Sequence, residues 1–212
     1  MPRRARSDAD KELRRAAILD AAGEVFDRTG IDDFTMDEVA ASLALAKGTL
    51  YRYVPTREGL LLAVIAEEYR SWFDAVDALL AVDPSGRGAP DVATLLVDSL
   101  LERPRMLRLL SLMSSVLERN VPRETAHEFK SFLLTRTTTT AGLLAQRLDC
   151  PQAEAVRLLV HLQAVTVGLH HHAHPSPVVA EVLAHPSLAA FAIDLRTELL
   201  HAVQALVVAA RR

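Results

Sequence analysis

Apolar residues recur three and four positions apart along most of the chain, the spacing that places them on one face of an α-helix. In the first thirty residues this pattern includes Ile18, Ala22, Val25 and Phe26, and Gly30 follows where helices commonly end in a glycine. No segment shows the sustained alternation of apolar and polar residues that is typical of a β-strand. The pattern therefore predicts an all-α protein.

Two short helices are predicted close to the N-terminus. Thr35 and Glu38 have the spacing of an N-terminal capping box and predict a helix over residues 35–43, and a second short helix is predicted over 46–54. Two short helices joined by three or four residues have the dimensions of a helix-turn-helix. A long helix follows, with Thr56 as its N-cap. These elements predict a small head joined to a larger helical body.

The second short helix has an unusual outward face. Leu50 and Val54 lie four residues apart and are predicted to face the preceding helix, which leaves a polar and aromatic set outward, with Tyr53 at its edge: Lys47, Gly48, Thr49, Tyr51 and Arg52. A glycine in a helix costs about 1 kcal/mol relative to alanine, so Gly48 is explained if the backbone closely approaches a base edge in a DNA major groove. The alternative is an exposed helix with incidental tyrosines.

Composition and charge narrow the possible functions. Half of the residues are hydrophobic, and the net charge of −3 excludes a protein that is basic over its whole surface. The segment 39–57 nevertheless contains Lys47, Arg52 and Arg57 and no acidic residue, a local basic stripe that suits phosphate contacts. With a single cysteine, no signal peptide and no apolar run long enough to span a membrane, we expect a cytoplasmic protein without a membrane partner.

The segment 34–65, FTMDEVAASLALAKGTLYRYVPTREGLLLAVI, closely resembles the signature of the TetR (tetracycline repressor) family of bacterial transcriptional regulators. The resemblance implies a helix-turn-helix DNA-binding domain over residues 1–55 and a helical ligand-binding and dimerisation domain over 56–212. It also implies a homodimeric repressor of a palindromic DNA operator, released by a small-molecule effector, with no enzyme activity and no cofactor. The two recognition helices are expected to enter successive major grooves.

The resemblance assigns roles to individual residues. Lys47, Thr49, Tyr51 and Arg52 are candidates for contacts with base edges and the nearby backbone, beside the close approach inferred above for Gly48. The candidates for phosphate contacts are Thr35, Tyr53, Thr56 and Arg57. Residues 1–9, with Arg3, Arg4 and Arg6, are expected to form a disordered basic arm that reaches the DNA backbone.

Two positions depart from the family pattern. The family usually has glycine in the turn where this chain has Ala44, and a left-handed backbone there would cost alanine on the order of 1 kcal/mol. It usually has serine or threonine where Ala46 stands, so a helix cap is expected to be missing. Both departures concern the geometry of the turn.

The larger domain is expected to hold an effector pocket and a dimer face. The candidate pocket residues, apolar with a few hydroxyls, suit an uncharged or weakly polar organic molecule: Trp72, Phe73, Met106, Leu109, Met113, Phe129, Phe132, Leu133, Thr137 and Thr166. The candidate dimer residues form apolar stripes near the C-terminus: Val156, Leu159, Val160, Val167, Leu188, Phe191, Leu195, Leu199, Val203 and Leu206. Each set is also what ordinary core packing produces.

Two alternatives remain open at this stage. His170 and His174, one helical turn apart within the run GLHHHAHPSP, could chelate Zn²⁺ or Ni²⁺ or act as a pH sensor, although no acid or cysteine in the run completes a metal site. A more remote alternative is a di-iron carboxylate enzyme, because Glu-x-x-His occurs twice, at Glu124–His127 and Glu198–His201, with Glu118 and Glu154 as further carboxylates. The distance along two helices between Glu124 and Glu154 counts against such a site.

Overall fold

A computed structural model describes residues 3–82, 91–113 and 120–211, with side chains described from Asp10 onward. Within these ranges the chain is helical and contains no strand, which confirms the predicted all-α class. The helices are α1 (Arg3–Thr29), α2 (Met36–Ser42), α3 (Lys47–Tyr53), α4 (Arg57–Ala81), α5 (Val92–Leu101), α6 (Pro104–Leu112), α7 (Arg123–Leu148), α8 (Gln152–Ala173), α9 (Pro177–Leu183), a 3₁₀ helix (Pro186–Phe191) and α10 (Leu195–Ala210).

The helix caps lie where the sequence places them. The side-chain oxygen of Thr35 accepts a hydrogen bond from the Glu38 amide at 3.2 Å and begins α2. Thr56 accepts from the Gly59 amide at 3.0 Å and begins α4 in the same way. Each bond satisfies one of the amide groups that a helix start leaves without a partner. The short helices and the long one therefore begin at residues that the sequence identifies.

The chain divides into two compact units that are interleaved along the sequence. Unit 1 comprises residues 1–68 and 112–130, and unit 2 comprises residues 69–111 and 131–212. The boundary between residues 55 and 56 stays a prediction. Each unit buries its own apolar side chains.

The core of unit 1 is formed by one face each of α1, α2, α3 and the first part of α4. Phe26 of α1 is 1% exposed, and Val39 of α2, Leu50 of α3 and Leu60 of α4 are fully buried. Since α2 and α3 have only seven residues each, most of their stability comes from this packing. Unit 1 thus holds the short helices in place through a few large apolar anchors.

In unit 2, α10 packs against α8 and α5, and polar contacts join α4 to α7. The guanidinium of Arg136 lies 2.7 Å from the Asp74 carboxylate and 3.1 Å from that of Asp77, and it also lies over the Phe73 ring. The Thr140 hydroxyl donates to the other Asp77 oxygen at 2.5 Å. These charge-assisted bonds fix the facing surfaces of the two helices.

The structure corrects the sequence prediction for the N-terminal arm. The backbone of residues 3–9 continues α1 and does not form the expected disordered arm, and Met1 and Pro2 lie outside the described residues. Arginine and alanine are good helix formers, so the segment can extend the helix that follows it. The segment VDPSGRGAP (82–90), whose prolines and glycines predict a flexible connection, lies outside the described residues from position 83 onward.

None of the described helices is by itself both long enough and apolar enough to span a membrane. Only the pair 177–183 and 186–210, bent by 115° at the break between them, has the required length and hydropathy jointly.

Candidate DNA-binding surface and effector cavity

The turn between α2 and α3 contains Ala44 in a left-handed backbone conformation. Its φ is 51°, a region that alanine rarely adopts because the Cβ atom crowds the following carbonyl. Two backbone hydrogen bonds hold the turn, from the Ala44 amide to Ala41 at 3.1 Å and from the Leu45 amide to Ala40 at 2.9 Å. The packing of the two helices therefore holds Ala44 in a left-handed conformation. This is the strained backbone expected from the sequence, because the family usually has glycine at this position.

One residue anchors α3, and the opposite side of the helix is exposed. Leu50 is fully buried, whereas Lys47, Gly48 and Arg52 are exposed and Tyr51 is 46% exposed. A Cβ atom added at Gly48 would meet no atom of this chain within 4 Å, so packing within the chain does not require glycine there. The face predicted to read DNA is thus presented to solvent.

The first turn of α3 lacks a side-chain cap. Ala46 is the N-cap residue and makes no capping hydrogen bond, which confirms the expectation from the sequence. The ammonium of Lys47 forms an ion pair with Asp37 of α2. Both side chains are more than half exposed, so this pair contributes little to stability and leaves Lys47 at the surface.

The residues predicted to contact phosphates differ in how firmly they are held. Arg57 donates from Nε to Glu58 at 3.1 Å and from a terminal nitrogen to the Ile31 carbonyl at 3.4 Å. Thr35 and Thr56 use their side-chain oxygens as helix caps, which leaves each hydroxyl proton for another acceptor. Tyr53 is half-buried. Arg57 is therefore positioned by two contacts within its own unit.

Unit 2 contains a cavity of about 40 Å³ between α4, α5, α6, α7 and α8. Some of the predicted pocket residues line it, namely Trp72, Phe73, Met106, Leu133, Thr137 and Thr166. The sequence prediction missed a further set: Tyr69, Leu100, Leu110, Leu159, Leu162 and Gln163. Helical spacing was the signal that could have found them, because Tyr69 precedes Phe73 and Leu162 precedes Thr166 by one turn on the same helix face.

Four predicted pocket residues do not line this cavity. Leu109, Met113 and Phe129 are buried elsewhere in the chain. Phe132 is half-buried, and the guanidinium of Arg70 lies 5.1 Å from the centre of its ring. Met113 and Phe129 belong to unit 1, whereas the cavity is lined by unit 2 alone, and composition does not show which apolar residues of a helix line a cavity.

The histidine run forms the C-terminal end of α8. His170 is 9% exposed, and its Nδ1 is hydrogen-bonded to the Ser111 hydroxyl of α6 at 3.0 Å. The ring of His174 stacks on it with 4.3 Å between centroids, and the His174 Nδ1–H donates to the His170 carbonyl at 2.9 Å. Burial, followed by the charges of His174, His171 and Arg108, lowers the pKa of His170 from 6.5 to about 4. His170 is therefore neutral at pH 7.

The same geometry bears on the metal and pH alternatives. The described part of the chain contains no group of three histidine, cysteine or acidic side chains that could hold a metal ion. His170 and His174 therefore lack a third ligand among these residues, and a two-histidine site remains a hypothesis. Because the pKa of His170 is about 4, its ring stays neutral from pH 7 down to well below pH 6. His170 therefore does not titrate near neutral pH, as a pH sensor would.

Two family models together match most of the chain. Residues 18–64 match the model of bacterial regulatory proteins of the tetR family, and residues 66–208 match the tetracyclin repressor-like C-terminal domain. The chain belongs to the TetR family. It is therefore a helix-turn-helix transcriptional regulator and not an enzyme.

Three individual members of the TetR family share 38% or fewer of the aligned residues with this chain. The HTH-type transcriptional repressors KstR of Rhodococcus jostii and Mycolicibacterium smegmatis are each 38% identical, over 81 and 72 residues. These matches cover 38% and 34% of this chain, and only about a third of each repressor's length. A TetR-family regulator from Mesorhizobium loti shares the fold, with a TM-score of 0.59 at 19% identity over 99% of this chain and 98% of the other.

The predicted dimer residues of this TetR-family chain fall into three groups. Leu199 and Val203 are fully buried and Leu159 lines the cavity, so these three belong to the interior of their own unit and are a correction to the predicted dimer face. Val160 and Phe191 are 55% and 68% exposed. The remaining predicted residues are half-buried: Val156, Val167, Leu188, Leu195 and Leu206. A fully buried side chain has no surface left for a partner.

The enzyme alternative is wrong, because the chain belongs to a family of regulators. The carboxylates and histidines that suggested it do not gather into a site within the described residues. Glu124, His127 and His201 are exposed, and Glu154 pairs with Arg157 at 2.9 Å. Glu118 lies outside the described residues.

Proposed function

We propose that this TetR-family protein represses transcription as a homodimer that binds a palindromic operator through α3. The main support for this proposal is the outward face of α3. Leu50 is the single buried anchor of the helix, and the residues around it are exposed: Lys47, Gly48, Tyr51 and Arg52. Such a face offers cations, a hydrogen-bonding aromatic and a site of close backbone approach to a major groove. The KstR relatives, which are repressors, support repression over activation.

Base-edge contacts are assigned to Lys47, Thr49, Tyr51 and Arg52. Phosphate contacts are assigned to Thr35, Tyr53, Thr56 and Arg57. The anchoring of Arg57 by Glu58 and the Ile31 carbonyl supports its role, because a positioned guanidinium loses less entropy when it binds a phosphate. We place the protein in the cytoplasm, where the DNA of a bacterium lies.

Dimerisation is assigned to exposed apolar residues near the C-terminus. Val160 of α8 and Val208 of α10 are 55% and 53% exposed, and Phe191 is 68% exposed. Exposed large apolar side chains are a usual feature of surfaces that a partner covers. A second copy of the chain would cover them and pair the two recognition helices, as a palindromic operator requires.

The proposed effector is a small, largely apolar organic molecule that binds the cavity of unit 2. Helix α4 carries Tyr69, Trp72 and Phe73 of the cavity wall and also Leu60 and Ile65, which are buried nearer its start. A ligand that favours one position of α4 would change the separation of the recognition helices. A coupling free energy of about 1–3 kcal/mol is enough to change operator affinity 5- to 150-fold.

Selection from a random double-stranded DNA library tests the proposal. The recovered sequences are expected to be inverted repeats with half-sites about one helical turn apart, or a multiple of it. Lys47→Ala or Tyr51→Ala should weaken binding at least about tenfold, or about 1.4 kcal/mol, without changing the dimer mass. The matched control is Arg157→Ala, which removes a cation from an exposed pair on α8. Wild-type affinity in both α3 variants would contradict the assignment of α3.

A further inference from the structure

We propose that the unit 2 cavity selects a neutral, planar aromatic compound whose polar group both donates and accepts hydrogen bonds, with the Gln163 carboxamide as its anchor. This inference rests on the proposed effector role of the cavity and names the class of effector. Three features of the lining carry it: an aromatic wall, a polar edge on the facing helices, and the neutrality of the groups around it.

The aromatic wall belongs to α4. The rings of Tyr69 and Phe73 are stacked with centroids 5.9 Å apart, and the Trp72 and Phe73 rings lie 4.9 Å apart at 55°. The Trp72 indole is fixed further, because its N–H donates to the Ser99 hydroxyl at 3.0 Å, which in turn donates to the Leu96 carbonyl. A rigid wall of aromatic rings favours a flat, ring-containing ligand through offset or edge-to-face contacts.

The polar edge lies on α7 and α8 and consists of Thr137, Gln163 and Thr166. The Thr166 hydroxyl donates to the Leu162 carbonyl at 2.7 Å, so towards a ligand it acts as an acceptor. The Trp72 N–H is committed to Ser99 and is not directed at a ligand. Gln163 brings both N–H donors and an oxygen acceptor, so it best matches a group that donates and accepts at once.

The surroundings favour a neutral ligand. Among the described residues that line the cavity, none carries a formal charge at pH 7. The guanidinium of Arg136, which lies over the Phe73 ring, is already paired with Asp74 and Asp77. His170, one turn beyond Thr166 on α8, is neutral at pH 7. A buried carboxylate without a counter-charge is costly, so the cavity should reject an anion that matches the preferred ligand in shape.

The volume limits the size of the ligand. About 40 Å³ accommodates roughly three water molecules at 10–15 Å³ each. An aromatic ring therefore enters only if flexible lining residues move, and Met106 on α6 has the unbranched side chain best able to do so. The expected ligand has a single ring and not an extended or polycyclic skeleton.

The test compares benzamide, benzoate and toluene at pH 7. Binding is measured by calorimetry and by the emission of Trp72, which is the only tryptophan of the chain and lines the cavity. Benzamide is expected to bind at least about tenfold more tightly than benzoate. Gln163→Leu should weaken benzamide about tenfold and leave toluene unchanged. The control Gln146→Leu, an exposed glutamine on α7, should change neither, and circular dichroism verifies that both variants fold.

Each negative result would contradict a different part of the proposal. Benzoate binding as tightly as benzamide, or unchanged benzamide binding in Gln163→Leu, would overturn the selection of a neutral compound anchored by Gln163. The proposed regulator would then stand, because its operator binding is measured without any ligand. If neither benzamide nor toluene perturbs Trp72 or releases heat, both this inference and the effector role of the cavity are wrong.

Discussion

The exposed face of α3 and the cavity of unit 2 are built in opposite ways. The residues of α3 that face solvent lie within seven consecutive positions and depend on one buried anchor, Leu50. The cavity is lined from α4, α5, α6, α7 and α8, at positions from Tyr69 to Thr166. A surface on a short helix is thus specified locally, whereas a cavity is the space that several packed helices leave between them.

The largest effect is expected where a local surface depends on one anchor. Leu50→Ala should lower the free energy of unfolding by about 2–5 kcal/mol, because it removes a fully buried leucine and leaves a void beneath α3. Urea denaturation followed by circular dichroism measures the change, and hydrogen exchange locates it in α3. Leu13→Ala, at a leucine that is 71% exposed, should change stability by less than about 0.5 kcal/mol. Equal effects of the two substitutions would show that α3 has other anchors.

A pH effect is expected in unit 2, where His170 is buried. The pKa of His170 is lowered to about 4 in the folded protein, so between pH 6.5 and 4 the unfolded chain binds the additional proton. The contribution of His170 to the free energy of unfolding should be fully present above pH 6.5. It should fall by up to about 1.4 kcal/mol per pH unit as the pH decreases towards 4. Denaturation at a series of pH values measures this slope. His170→Gln should flatten it, whereas His161→Gln, at an exposed site on the same helix, should not.

A smaller loss is expected at the contact between α4 and α7. Arg136→Met leaves the carboxylates of Asp74 and Asp77 without their guanidinium, and the Asp77 side chain is only 21% exposed. The substitution should lower the free energy of unfolding by about 1–3 kcal/mol. Arg157→Met breaks an ion pair whose arginine is 62% exposed and should cost less than about 0.5 kcal/mol. Thermal denaturation of both variants tests whether burial sets the difference.

The smallest predicted change has opposite signs for stability and binding. Gly48→Ala should raise the free energy of unfolding by up to about 1 kcal/mol, because alanine favours the helix and the added Cβ meets no atom of this chain. The same substitution should weaken operator binding if the backbone approaches DNA at this position. Denaturation and a DNA-binding titration on one preparation measure both. A stable variant with unchanged operator affinity would remove the role assigned to Gly48.

Local signals along the sequence determined the helix-turn-helix. The Thr35 and Thr56 caps and the apolar anchor Leu50 each act within a few residues of their own position, so the sequence predicts α2, α3 and the start of α4 closely. The positive φ of Ala44 was expected only from the resemblance, since alanine itself gives no sign of a left-handed turn. The helical state of residues 3–9 was missed because a run of arginines carries no apolar spacing.

Only the tertiary structure decided which apolar residues form the cavity, the core and the exposed face. Leu159, Leu199 and Val160 all belong to the predicted dimer face, yet the first lines the cavity, the second is core and the third is exposed. The physical reason is that hydrophobicity drives burial without direction, so the sequence sets how much a helix buries but not against what. Gln163 shows the same limit, because a glutamine acquires a role in ligand selection only when other helices place an aromatic wall opposite it.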